Sequence, residues 1–181
     1  MKKNVILGVA GSIACYKAAD LTSRLTQAGL NVSVVMTRHA TEFVTPLTFQ
    51  TLSRNPVTTG IFDEKESWHP GHIALADSAD LFLIAPATAN ILAKLANGIA
   101  DDALTSIALA SRAPLLIAPA MNGHMWLHPA TQENVARLKS RGTLFIGPGD
   151  GLLACGYEGT GRLWDVADIA LQATQFLDKT L

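Results

Sequence analysis

The chain has 181 residues, enough for one domain with a substantial core; at this size folding buries about 70% of the unfolded surface. Apolar residues make up 49% and charged residues 16%, a balance that points to surface buried between subunits. The formal net charge of −1, with no basic block, argues against nucleic acid and anionic membranes as partners.

No stretch reaches about eighteen uninterrupted apolar residues, so no membrane span is expected. An apolar strand begins directly after Met1-Lys2-Lys3, which does not read as a signal peptide. The two cysteines, Cys15 and Cys155, lie far apart and suggest neither a disulfide framework nor a zinc site. A reducing cytoplasm is the expected compartment, with no metal.

Taken in order, Val5-Ile6-Leu7-Gly8-Val9 reads as a buried strand. A helix follows over Ile13 to Ala28, ended by Gly29. Val32 to Met36 is a second strand. His39 to Phe43 and Leu47 to Leu52 read as short helices with Pro46 between them. Asn55 to Gly71, with prolines and glycines near its ends, reads as a long loop. Asp80 to Ala85 is the third clear strand, and helical patterns follow over Thr88 to Asn97 and Asp101 to Ser111. Leu115 to Ala118 is the fourth strand and Thr143 to Ile146 the fifth. The last helix spans Val166 to Leu177, with Asp165 as its cap. This alternation predicts an α/β fold: a doubly wound parallel sheet, flavodoxin-like, in a three-layer α/β/α arrangement.

Between the fifth strand and the last helix the pattern breaks. Residues 147 to 161 hold six glycines and one proline, and carry Cys155. So long an irregular connection reads as a flap over a site, about 147–162.

Ligands of parallel sheets bind at the carboxyl ends of the strands, which draws attention to three turns. Gly8 to Ala14 runs from the first strand into a helix; Gly11 permits close approach, Ser12 can cap the helix, and the helix start favours a phosphate. The same residues also suit an ordinary tight βα turn. The pattern is not the dinucleotide fingerprint, since the third glycine is missing and the second strand ends in Thr37 rather than an acid. After the third strand, Ala85-Pro86-Ala87-Thr88-Ala89-Asn90 leaves room for a planar ring that Thr88 and Asn90 can hydrogen-bond; Thr88 is equally a helix cap. After the fourth strand comes Pro119-Ala120-Met121-Asn122-Gly123-His124-Met125-Trp126, an amide among soft apolar side chains.

Three further residues carry two readings each. Asp101-Asp102 suit the positive end of the next helix. His72, just ahead of the third strand, is either a surface histidine or a base. Cys155 is a small hydrophobe or, in its glycine-rich setting, an acid or nucleophile, while Cys15 reads as packing within the first helix.

Taken together, Gly11-Ser12-Ile13-Ala14, His72-Ile73, Ala85 to Asn90, Asp101-Asp102, Pro119 to Trp126 and Ala154-Cys155-Gly156 leading to Gly159-Thr160-Gly161-Arg162 resemble the flavin-containing, homo-oligomeric cysteine decarboxylases, in particular their coenzyme A biosynthesis branch. The resemblance covers the whole chain, as one domain over 1–181. It implies FMN as cofactor, with Gly11, Ser12 and Ile13 at its phosphate region and Thr37, Thr88, Ala89, Asn90 and Ala120 lining the rest. It implies His72 as base, Asn122 on the substrate carboxylate assisted by Met121 and Met125, and Cys155 as a late proton donor. The implied reaction turns 4'-phosphopantothenoyl-L-cysteine into 4'-phosphopantetheine by thiol oxidation, CO2 loss and re-reduction of the ene-thiol.

The resemblance further implies a trimer, or a dodecamer built of trimers, and a separate phosphopantothenate–cysteine ligase. Peptide cysteine decarboxylases, which stop at the ene-thiol, are the enzymatic rival that Cys155 weighs against. A flavin prenyltransferase on the same fold leaves the octet unexplained. A regulatory, non-enzymatic relative would carry acidic or low-complexity extensions that this sequence lacks.

Overall fold

The computed structural model of the chain describes residues 2–61 and 71–179. Its centre is a parallel sheet of six strands: β1 Asn4–Val9, β2 Asn31–Met36, β3 Val57–Thr58, β4 Leu81–Ala87, β5 Leu115–Pro119 and β6 Leu144–Phe145. They lie in the order β3-β2-β1-β4-β5-β6. Strand β1 pairs Asn4 with Asn31 through to Val9 with Met36 on one side, and Val5 with Leu81 through to Gly8 with Ile84 on the other.

The strands are apolar on both faces because both faces are covered. Val5, Leu7 and Val9 pack in one core with Leu21, Leu25, Phe49 and Ile169. Ile6, Phe82 and Ile84 pack in a second core with Ile91, Leu104, Ile107 and Leu138. The first layer is built by α1 Cys15–Gln27, α3 Pro46–Ser53 and α9 Val166–Lys179. On α1, Ala18, Leu21, Thr22 and Leu25 are buried, and on α9 Val166, Ile169, Ala170, Ala173 and Leu177. That spacing is the one-faced stripe of a helix laid on a sheet. The second core takes side chains from α4 Gly71–Ser78, α5 Ala89–Asn97, α6 Ala103–Ala110 and α8 Pro129–Ser140. The three-layer α/β/α fold expected from the sequence is thereby realised.

Helix ends follow local chemistry. Thr88 accepts from the Ile91 amide at 3.4 Å, and Thr37 caps the short α2 Arg38–Thr41 through the Ala40 amide at 3.2 Å. Asp102 and Thr105 form a reciprocal capping box on α6. Asp165 accepts from the Ala167 amide at 2.8 Å, as expected of a cap.

Four expectations need correction. Pro46 begins α3 rather than separating two helices, since its fixed φ suits a first helical position. The stretch 55–71 is not structureless: Val57–Thr58 pairs with Val34 and Val35 as an edge strand, and Gly71 opens α4. Residues 62–70, including His69, lie outside the described residues. The chain between the fourth and fifth expected strands contains α7 Gly123–Leu127 and α8, which the apolar pattern did not announce. Finally, the glycine-rich segment is a regular antiparallel pair, β7 Gly149–Leu152 with β8 Glu158–Arg162. Backbone pairing needs no apolar side chains, so glycine content conceals it.

Candidate functional site

The chain leaves β1 toward β2 and β3 on one side of the sheet and resumes at β4 on the other. The carboxyl ends of β1 and β4 therefore flank a topological switch point, where open α/β sheets bind ligands. A cleft of about 750 Å3 stands there. Its floor is Gly11 to Ala14 after β1, Thr88 after β4, and Ala120, Met121, Asn122 and Met125 after β5. The β7–β8 hairpin supplies the opposite wall, Leu152 to Cys155 and Gly161 to Leu163.

Segments more than a hundred residues apart in sequence thus converge. Of the expected site residues, Gly11, Ser12, Ile13, Thr88, Ala120, Met121, Asn122, Met125 and Cys155 line this cleft. Thr37, His72, Ala89 and Asn90 do not. Thr37 follows β2 with its amide on the Val9 carbonyl at 3.0 Å. Ala89 and Asn90 follow Thr88 in the first turn of α5. His72 is half-buried in the first turn of α4. Trp126, expected in the apolar wall, packs against the second core instead.

The turn after β1 has its own logic. The Ser12 hydroxyl accepts from the Ala14 amide at 3.2 Å, and the Ser12 carbonyl from the Cys15 amide at 3.0 Å. Glycine is needed at position 11 because of a protein neighbour: a side chain there would stand 2.7 Å from the His39 carbonyl carbon. Cys15, buried behind the turn, donates through Sγ to the Ala10 carbonyl at 3.0 Å. Burial pushes its thiol up from the ordinary range, against smaller opposing backbone hydrogen bonds. It is a packed residue, as its place on α1 suggests.

Asn122 is the centre of the octet. Its Oδ1 accepts from the His124 amide at 2.8 Å and so caps α7. This fixes the amide's orientation, and its Nδ2 donates to Cys155 Sγ at 3.3 Å. The hairpin is fastened beside it by the Met121 amide, which donates to the Gly161 carbonyl at 2.9 Å. Gly161, at φ 146°, allows that approach; a Cβ there would strike the Met121 carbonyl oxygen.

His124 stacks obliquely on Tyr157, centroids 5.7 Å apart. His128, four residues on, accepts from the Ala130 amide through Nδ1 at 3.2 Å and caps α8. Among the described residues no three His, Cys, Asp or Glu side chains gather as a metal site. Asp101 and Asp102 hold Lys94 at 2.6 and 3.1 Å. Burial alone would raise the Asp102 carboxyl, but the Thr105 amide and hydroxyl and the Lys94 ammonium bring it below its ordinary range.

The two charged residues of the lining, Lys17 on α1 and Arg162 at the end of β8, were not among the expected site residues. The cleft therefore combines strand-end turns, a wall of Ile13, Met121, Met125, Leu152 and Leu153, a fixed amide beside a thiol, and two cations. That set suits a planar ring with a phosphate-bearing tail beside a small acid. Its volume lies within the range of about 300 to 1,000 Å3 usual for such sites.

A family model described as Flavoprotein matches residues 1–178. The coenzyme A biosynthesis bifunctional protein CoaBC of Bacillus subtilis (strain 168) is 54% identical over 179 residues, 98% of this chain and 44% of that protein. The chain thus spans less than half the length of that bifunctional relative. A probable phosphopantothenoylcysteine decarboxylase of Streptococcus mutans serotype c is 50% identical over 171 residues, 93% of this chain and 96% of the relative. Among solved structures, a cysteine-to-serine mutant of PPC decarboxylase complexed with pantothenoylaminoethenethiol superposes with a TM-score of 0.89 at 33% identity, over 98% of this chain and 100% of that one. The FMN-dependent cysteine decarboxylase SpaF gives a TM-score of 0.83 at 34% identity, over 96% of each chain.

Proposed function

The chain belongs to the Flavoprotein family, and from that premise we propose that it is an FMN-dependent decarboxylase acting on 4'-phosphopantothenoyl-L-cysteine to give 4'-phosphopantetheine. The observation that carries the reading is the meeting of Asn122 Nδ2 and Cys155 Sγ at 3.3 Å inside the switch-point cleft. It unites the amide of one segment with the thiol of another at the place where a cofactor and a small acid fit together.

The residues present suit FMN. The backbone of Gly11, Ser12 and Ile13 offers donors for a phosphate at the start of α1. Thr88 and Ala120 line the bed of the ring, with Ala89 and Asn90 following on α5 and Thr37 behind, tied to Val9. Bound FMN supplies a two-electron acceptor and donor, which lets the cysteine thiol be oxidised before CO2 leaves and the product be reduced afterwards.

Direct loss of CO2 from cysteine would leave an electron pair with no sink. A thiocarbonyl adjacent to the departing bond provides one, so oxidation has to come first. Asn122 Nδ2 donates to the substrate carboxylate, and the bond from the His124 amide to Oδ1 keeps the donor end turned into the cleft. Met121 and Met125 line the cleft beside the amide and shield the carboxylate from water. Cys155 Sγ gives a proton to carbon during re-reduction of the ene-thiol. His72 takes the thiol proton. Since His72 stands outside the cleft of its own chain, it serves the cleft of a neighbouring copy in a homo-oligomeric trimer or dodecamer. The exposed apolar side chains Leu47, Leu109 and Leu127 support such association. No helix among the described residues is long and apolar enough to cross a membrane.

The test uses Cys155→Ser in the flavin-loaded protein. The variant is expected to release CO2 but to stop at the ene-thiol, a hydrogen pair short of phosphopantetheine by mass. Normal phosphopantetheine output from it would remove Cys155 from the reaction.

A further inference from the structure

A second cleft, of about 630 Å3, adjoins the first where α1 meets the end of β8 and the start of α9. The two share Tyr16, Lys17, Arg162 and Leu163, while Asn122 and Cys155 belong to the first alone. The carboxylates bordering the second cleft are already engaged. Asp20 holds Arg24 at 3.0 Å, and Asp150 accepts from the Thr160 hydroxyl. Asp165 caps α9 through the Ala167 amide, and Asp168 accepts from the Trp164 indole at 3.2 Å. Among the described residues Lys17 and Arg162 form no ion pair.

Lys17 and Arg162 are neighbouring cations that no carboxylate among the described residues pairs directly, Asp165 acting on Lys17 only at longer range, so an anion set between them would relieve their repulsion. Lys17 registers this: burial, and then the Arg162 charge, hold its ammonium below the usual lysine range, with Asp165 offsetting only part. Arg162 is also given a track. It lies over Gly151, where a Cβ would stand 3.4 Å from Nη1. A guanidinium fork beside an ammonium is a donor set matched to a phosphate monoester.

We propose that Lys17 and Arg162 form the subsite for the phosphate-monoester end of the substrate, whose cysteine end reaches Asn122 and Cys155. The inference rests on the decarboxylase reading above. The cofactor's own phosphate has a separate berth in the amides after β1. The shared position of Lys17 and Arg162, on the border with the second cleft, is where an extended acyl chain would emerge. The subsite lets the enzyme distinguish phosphorylated from unphosphorylated acyl-cysteine.

The test compares kcat/KM for phosphopantothenoylcysteine and for pantothenoylcysteine, which lacks the phosphate, in the flavin-loaded protein. The variants are Lys17→Gln, Arg162→Gln and Arg162→Lys. Wild type is expected to favour the phosphorylated substrate. Each glutamine variant lowers that preference about tenfold or more, chiefly through KM, as the loss of one charged hydrogen bond implies. Arg162→Lys retains part of it. An unchanged preference in both glutamine variants overturns the subsite. So does loss of bound FMN, measured as flavin per protein, with the preference intact, which would assign the pair to the cofactor. Equal turnover of both substrates by wild type also overturns the subsite while leaving the decarboxylase reading standing. Turnover of neither overturns the decarboxylase reading itself, and the subsite with it.

Discussion

The two walls of the cleft are held by different means. The sheet wall consists of strand ends with no exposed surface at Val9, Ala10, Ala87 and Ala118. Its backbone is cross-tied where the strands end: Ala10 donates to the Pro86 carbonyl at 3.1 Å, Thr37 to Val9 at 3.0 Å and Ala120 to Ala87 at 2.9 Å. The hairpin wall is anchored by buried Leu153 and Leu163 and by the Met121–Gly161 bond, while Ala154, Cys155 and Gly156 are exposed. Opening the first costs much of the fold; opening the second disturbs little packing. The contrast matches the proposed division of labour, in which a flavin would lie on the rigid wall and Cys155, the proposed proton donor, rides on a part that can yield to substrate.

Mutations can break this contrast or sharpen it. The largest effect is expected behind the sheet wall. Phe82 is 1% exposed and packs in the second core, so Phe82→Ala should cost about 3–5 kcal/mol in a denaturant titration. Flavin retention should fall with it. A loss below about 1 kcal/mol would show that the sheet wall is no stiffer than the hairpin.

A smaller effect is expected one layer out, at the cap of α6. Asp102→Asn removes the charge that Thr105 and Lys94 stabilise, for about 1–2 kcal/mol at neutral pH. The folded carboxyl is held below its ordinary range, so its contribution is present above the unfolded value of about 4. It is lost as the pH falls through the lower folded value. The stability gap between wild type and variant should therefore close on acidification. A gap that persisted or widened in acid would contradict the assignment of the cap to the ionised form.

The smallest effect belongs to the hairpin. The Tyr157 hydroxyl is buried with no hydrogen-bond partner among the described residues. Tyr157→Phe removes a polar atom that gains nothing, and should shift stability by no more than about 0.5 kcal/mol. A thermal melt showing a loss of several degrees would mean that the hairpin wall carries more of the fold than its contacts suggest.

These differences also explain what the sequence made legible. The runs Val5–Val9 and Leu81–Ala85 are apolar on both faces, which only a covered parallel strand requires, and Thr88, Asp102 and Asp165 announce helix starts by capping chemistry. Helix α8 escaped notice because its buried stripe is only Thr131, Val135 and Leu138, too sparse to stand out. The hairpin escaped because its pairing is made by backbone and its glycines read as loop. At the site, Gly11 to Ile13, Thr88, Ala120, Asn122 and Cys155 were legible as motifs, each beside a strand end or in the flap. The pairing of Lys17 with Arg162 was not, since it arises from tertiary convergence of α1 and β8 and leaves no local pattern. His72, expected just ahead of the third strand as a base, stands on α4 ahead of β4 but outside the cleft of its own chain.

The most direct measurement is the mass of the product formed when flavin-loaded protein is incubated without oxygen with phosphopantothenoylcysteine. Loss of CO2 alone, giving phosphopantetheine, is the predicted result, because oxidation and re-reduction cancel. Unchanged substrate, or a product lacking a further hydrogen pair, would contradict the account of Asn122 and Cys155 acting together in one cleft.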